Sequence, residues 1–241
     1  MRLFRGRAPT IATDSEVSER MCSLVATGET AVRVWIPHRQ VAFGRRDARL
    51  EGYDRARAAA SEHGFPPVER SVGGRAVAFD GETTVAVARA EPVDDSRRGI
   101  GDRYDRLTRD LERALDRLGV ETTRGEPPDS FCPGSHSLSA SLADGRGGED
   151  GTGGSERKLA GLAQRVRTDA ALVSGILVVD HRSELAGVLE AVYDALEVPF
   201  DPSSVGSVAA AGGPSDPDRV VAALEDELVG DVTPTLECVD R

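Results

Sequence analysis

Arg157-Lys158-Leu159-Ala160-Gly161-Leu162-Ala163-Gln164-Arg165 reads as a strand on which one side chain stands apart. Lys158 is the only lysine in 241 residues; every other member of the 30 basic side chains is arginine. Arginine stays protonated and presents a planar fork, whereas lysine is a compact ammonium that can shift its pKa and donate in three directions. A chain that uses arginine everywhere else and keeps one lysine is expected to need it for chemistry. The small residues Ala160, Gly161 and Ala163 suit a strand that another molecule approaches closely.

Outward from this strand the pattern is mixed. Residues 171–180 are the most apolar run and predict a central strand. Ser183-Glu184 opens a helix with Leu185, Val188, Leu189, Val192 and Leu196 on one face, and Asp216-Pro217 caps a last helix carrying Val220, Leu224 and Leu228. Before Lys158, residues 137–142 alternate as a strand, and 143–157 form a glycine-rich stretch read as a flexible insertion. Further upstream, strands are expected at 32–36 and 41–45 and a helix over 47–62. Residues 68–81 read as strand, glycine turn and strand, continuing into 83–89 as a small antiparallel meander. Residues 100–118 space apolar side chains by three and four, an amphipathic helix. Strands and helices do not alternate regularly, so the class is α+β, one domain over 1–241 with an extended sheet.

Composition narrows the function classes. There are 41 acidic against 30 basic residues, a net charge of -11, and 4% aromatics. An acidic, lysine-poor chain resembles a halophile's cytoplasmic protein, whose carboxylate surface holds water. The absence of a basic run argues against nucleic acid as partner. No run of 18 apolar residues occurs, and the N-terminus lacks a signal-peptide core, so no membrane role is expected. Cys22, Cys132 and Cys238 have no paired spacing, which argues against a disulfide framework or a zinc site. No metal-ligand cluster is visible.

Cys132 lies in the loop Pro127-Pro128-Asp129-Ser130-Phe131-Cys132-Pro133-Gly134, and with Lys158 it flanks the glycine-rich stretch. A thiolate is an able acyl acceptor, and a nearby ammonium favours that form while polarising a carbonyl. The alternative for Cys132 is a small buried side chain. His136 is near enough in sequence to be considered as a base, although strand surface is its plainer reading. Paired Gly73 and Gly74 let a backbone approach a ligand, or simply make a turn.

Three stretches together resemble the biotin/lipoate protein ligase and transferase superfamily. Arg70-Ser71-Val72-Gly73-Gly74-Arg75-Ala76-Val77 is similar to the arginine, Ser-Gly-Gly and Ala-Val strand of lipoate–protein ligases. Lys158 to Arg165 resembles the family's lysine strand, and the likeness continues through Ser174-Gly175 to Asp180. Ser130-Phe131-Cys132-Pro133-Gly134 resembles the cysteine-dependent octanoyl/lipoyl amidotransferases.

The resemblance implies a mixed, largely antiparallel sheet flanked by helices, the biotinyl/lipoyl protein ligase-like and class II synthetase-like fold. It implies Cys132 and Lys158 as catalytic, with Arg70, Ser71, Val72, Gly73, Gly74, Arg75, Ala76, Gly161, Ala163, Ser174 and Gly175 around the acyl group. The implied reaction moves an octanoyl or lipoyl group through a Cys132 thioester onto the lysine of a lipoyl carrier domain, without cofactor. Implied carriers are the glycine cleavage H protein and the acyltransferase subunits of 2-oxoacid dehydrogenases.

Two alternatives accompany it. One is the catalytic subunit of an ATP- and magnesium-dependent lipoate–protein ligase, with a separate accessory subunit; the other is a non-catalytic docking protein for lipoyl domains. Glu69 in place of the first arginine of a ligase pair, Val72 in place of Ser or Thr and Ser174 in place of histidine weaken the ligase reading most.

Overall fold

The computed structural model describes residues 1–25, 28–70, 72–142 and 156–239. Along the chain run β1 (Arg2–Arg5), α1 (Ile11–Val25), β2 (Ala31–Trp35), β3 (Gln40–Phe43), a 3-10 turn (Asp47–Arg49), α2 (Tyr53–Glu62), β4 (Pro67–Glu69), β5 (Val77–Phe79) and β6 (Thr84–Pro92). Then follow α3 (Ile100–Arg117), β7 (Thr123–Arg124), β8 (Ser137–Ala140), β9 (Arg157–Val166), β10 (Ala170–Val178), α4 (Arg182–Leu196), a second 3-10 turn (Pro202–Ser204), α5 (Pro217–Val229) and β11 (Thr235–Cys238).

Among the described residues, eight strands form one sheet in the order β11-β1-β2-β6-β10-β9-β8-β7, and β4-β3-β5 form a second. Strand β10 is central, antiparallel to both β6 and β9. Its side chains alternate as a pleated strand requires. Val173 and Leu177 join the core under α3 and α5, while Leu172, Ser174 and Ile176 face the opposite side. That opposite side is covered at one end by α1, through Val17, Met21 and Val25 on Ala88, Ala90 and Leu172. At the other end it is covered by the small sheet with α2 and α4.

A buried ion pair fixes α1 in place. The Arg33 guanidinium on β2 is fully buried, donates to the Asp14 carboxylate and to the Gly6 carbonyl at 2.9 Å, and lies 4.1 Å above the Trp35 ring. Trp35 Nε1 donates to the same carboxylate at 3.0 Å. Burial lowers the proton affinity of Arg33 and Asp14 opposes that shift. Glu19, one turn and more along α1, pairs with Arg165 and Arg167 from the β9–β10 hairpin.

The sequence reading needs four corrections. Residues 68–81 are not a hairpin: β4 pairs parallel with β3 and β5 pairs antiparallel with it, so the glycine segment crosses from one side of β3 to the other. The strand at 83–89 belongs to the large sheet, so the expected single extended sheet is two. The helix over 47–62 is interrupted, because Asp47 turns inward and accepts the Gly44 N–H at 2.9 Å, leaving α2 to begin at Tyr53. Arg157 already belongs to β9, and the rest of the expected insertion, 143–155, lies outside the described residues apart from Glu156, which accepts the Thr123 hydroxyl at 2.6 Å.

The two sheets meet at a turn held by Asp80. Its carboxylate accepts the backbone N–H groups of Glu82, Thr83 and Thr84 at 2.8–3.0 Å and both threonine hydroxyls. Burial raises its pKa, but the Thr83 and Thr84 hydroxyls and the N–H donors outweigh it and bring the value to about 2. A carboxylate lowered on folding stabilises the native state above its unfolded pKa, and that contribution fades as pH falls from about 4 towards 2. Asp80→Asn is expected to cost about 2 kcal/mol at pH 7. In urea denaturation, the gap between variant and wild type should narrow markedly at pH 3.

Candidate functional site

The loop that carries Cys132 runs from Glu126 to Ser137. Its ends are closed by Gly125 N–H donating to the Ser137 carbonyl at 3.1 Å, and a single oxygen of Glu126 accepts Gly134 N–H at 2.7 Å and the Ser137 hydroxyl at 3.1 Å. Within it, Asp129 and Cys132 both take left-handed backbone conformations, φ 51° and 44°. Such geometry in a residue with a Cβ persists only where its surroundings impose it.

Lys158 is the first of those surroundings. The side chain is fully buried beneath the loop. Its ammonium donates to the Phe131 carbonyl at 2.8 Å, the Cys132 carbonyl at 3.1 Å and Glu126 Oε2 at 3.1 Å, and lies 4.9 Å from the Phe131 ring centre. An ammonium has three protons, and here each has a protein acceptor. Burial pushes its proton affinity down, against the pull of Cys132 and Glu126. In this arrangement the ammonium grips the backbone that carries the sulfur.

Tyr193, fully buried on α4, is the second. Its hydroxyl accepts the Cys132 N–H at 2.6 Å and donates to the Ala76 carbonyl at 3.0 Å. One oxygen thus joins the cysteine loop to the glycine segment.

Cys132 Sγ itself accepts from Arg70 Nη2 at 3.1 Å and from the Arg75 N–H at 3.3 Å. Arg70 Nη2 also donates to the Arg75 carbonyl at 2.7 Å, and Arg75 is anchored to Asp47 at 3.2 Å. Gly74 has φ 95°, and a Cβ there would lie 2.5 Å from Sγ. A Cβ at Gly44 would lie 2.0 Å from the Gly74 carbonyl. The paired-glycine segment thus cradles the protein's own sulfur and guanidinium.

The sulfur opens on a cavity of ≈ 330 Å³ between the large sheet, the small sheet and α1. Arg70, Val72, Gly161, Ala163, Ser174 and Gly175 line it, and so does Cys132. Lys158 does not line it, yet its Nζ lies only 3.5 Å from where a Gly161 Cβ would stand, so Gly161 is the thin wall between ammonium and cavity. Gly73, Gly74, Arg75 and Ala76 stand outside the lining, in the cradle, and Ser71 lies outside the described residues. The His136 ring is stacked on Tyr104 at 3.8 Å rather than on the sulfur. Cys22 is buried and Cys238 exposed at an edge strand, both away from this site.

Sequence reasoning missed Tyr193, Glu126 and the cavity's α1 wall with Asp14 and Glu19. Glu126 could have been suspected as a lone acid at the start of the cysteine loop. Tyr193 sat unmarked within an apolar helix face.

A model of the lipoyl protein ligase A/B catalytic domain matches residues 11–229. The chain belongs to that family. An octanoyl-(GcvH):protein N-octanoyltransferase of Anoxybacillus flavithermus is 30% identical over 181 residues, 73% of this chain and 59% of the relative. The protein of the same name from Exiguobacterium sibiricum is 32% identical over 151 residues, 62% of this chain and 49% of the relative. The chain thus matches 49% to 59% of the length of these relatives. Lipoate-protein ligase A bound with ATP shares the fold, with a TM-score of 0.72 at 18% identity over 98% of this chain and 88% of that one. The expected mixed α+β, lipoyl ligase-like architecture is borne out.

In this member of the lipoyl ligase family, Tyr193→Phe leaves the part-buried Cys132 N–H and the buried Ala76 carbonyl without this partner. The expected cost is about 1–3 kcal/mol, with slower alkylation of Cys132 by iodoacetamide in folded protein. Wild-type stability and alkylation together would show that the hydroxyl positions nothing.

Proposed function

We propose that this protein transfers an octanoyl or lipoyl group between the lysines of lipoyl carrier domains through a thioester on Cys132. The observation that carries the reading is the Cys132 sulfur, held in hydrogen bonds from Arg70 and the Arg75 N–H at the head of a cavity floored by Gly161, Ala163, Ser174 and Gly175. The relatives' name points to the same chemistry and to GcvH as a donor.

In the first step the Cys132 thiolate attacks the amide carbonyl of an acylated lysine. The carbon–nitrogen bond breaks, and the amine leaves with a proton from solvent. In the second, a neutral lysine amine of the acceptor attacks the thioester, the carbon–sulfur bond breaks, and the nitrogen releases a proton. The acyl chain lies along the small residues of β9 and β10 under α1, a shape suited to an apolar tail. Arg70 supplies the fixed positive charge beside the oxyanion that each step develops. Lys158 and Tyr193 act through the backbone, holding the sulfur at its angle. The cysteine-to-carrier reaction needs no cofactor or metal.

The ATP-dependent alternative fits the cavity less well. Glu69 lines the wall beside Arg70 and Glu16 lines the α1 side, so a polyphosphate would meet carboxylates.

Incubation with octanoylated GcvH in the absence of nucleotide should give a hydroxylamine-labile mass increase of one octanoyl group. Cys132→Ser should abolish it. Modification of an acceptor only with free octanoate, ATP and magnesium, unaffected by Cys132→Ser, would refute the thioester mechanism in favour of the ligase. Inertness in both assays would leave a docking protein.

A further inference from the structure

The segment Arg45-Arg46-Asp47-Ala48-Arg49 separates its charges. Asp47, its only acid, is fully buried, occupied by Gly44 N–H and by Arg75. Arg45, Arg46 and Arg49 are exposed. Among the described residues none of the three forms an ion pair, whereas Arg113 and Arg117 of α3 pair with Glu227 and Arg124 of β7 with Glu112. On a chain of net charge -11, this is a local concentration of free positive charge.

Its position matters more than its size. A cleft of ≈ 210 Å³ lined by Phe43, Gly44, Arg45, Ala48, Arg49 and Glu69 ends at Arg70. Glu69 and Arg70 also line the main cavity, and Arg70 holds the Cys132 sulfur. The one acid in the cleft, Glu69, is engaged by the Tyr53 hydroxyl at 2.8 Å.

We propose that Arg45, Arg46 and Arg49 are the docking site for an acidic face of the lipoyl-type carrier domain, placing its acylated lysine beside Arg70 and Cys132. The identity of the carrier rests on the transfer reading above; the basic surface and its acidic partner do not. An acidic partner would be repelled by most of this protein's surface, so a basic patch at the mouth both attracts it and sets its orientation. Charge complementarity of this kind acts mainly on encounter and is weakened by salt.

The test is calorimetric titration of octanoylated GcvH into wild type and into R45Q/R46Q/R49Q, at 0.15 M and about 1 M salt, where the Debye length falls from about 8 Å to about 3 Å. The dissociation constant of the triple variant should rise about tenfold at the lower salt, and the gap should close at the higher. The rate of Cys132 alkylation should stay at the wild-type value, which shows that the variant is folded with its sulfur in place. A dissociation constant within twofold of wild type at low salt would overturn the proposal. So would loss of ATP binding with carrier binding retained, which would assign the patch to phosphates. Salt-dependent carrier binding without any acyl-enzyme would uphold the docking surface and sink the transfer reading, so the two fail separately.

Discussion

An ammonium taken wholly out of water must find acceptors for its protons, and Lys158 finds them on the loop that carries Cys132. Two are main-chain carbonyls and the third is the Glu126 carboxylate. An unpaired buried charge would cost several kcal/mol, so the loop cannot drift from the lysine without a large penalty. Cys132, whose carbonyl the ammonium holds, has a left-handed backbone. Arginine would not replace this lysine readily, since its planar fork cannot place donors on three converging oxygens in the same small space.

The same logic extends to the glycine segment. Tyr193 bonds Cys132 and Ala76 with one hydroxyl, while Arg70 and the Arg75 N–H meet the sulfur from the other side. Gly44 and Gly74 are needed because the contacts occur at distances a Cβ would occupy. The two loops, α4 and the start of β9 therefore form one rigid cradle. The cavity beyond it depends on α1, which the buried Arg33–Asp14 pair and the Glu19 pairs hold over β10.

Much of this was legible in the sequence, and the failures have physical causes. The lone lysine, the cysteine between prolines and the glycine pair each marked a part of the cradle. The helix at 100–118 followed from periodicity and the central strand at 171–180 from its apolar run, and Asp216 caps α5 as expected, accepting the Asp218 N–H at 3.0 Å. What periodicity could not show was pairing. β4 and β5 looked like a hairpin because they flank two glycines, yet both partner β3. Helix α1 escaped notice because its buried face includes Asp14, a charge that belongs inside only once Arg33 faces it. Nor could a lone lysine in the sequence show that its ammonium would meet the Phe131 and Cys132 carbonyls and Glu126.

The most direct measurement of the central claim is alkylation of Cys132 by iodoacetamide in Lys158→Met, with Cys22→Ser and Cys238→Ser removing the other thiols and circular dichroism confirming the fold. If the buried ammonium holds the sulfur in its cradle, the rate should change by on the order of tenfold or more, as expected from loss of a buried charged contact of at least 1.4 kcal/mol. A rate equal to that of the Lys158 parent would contradict the account.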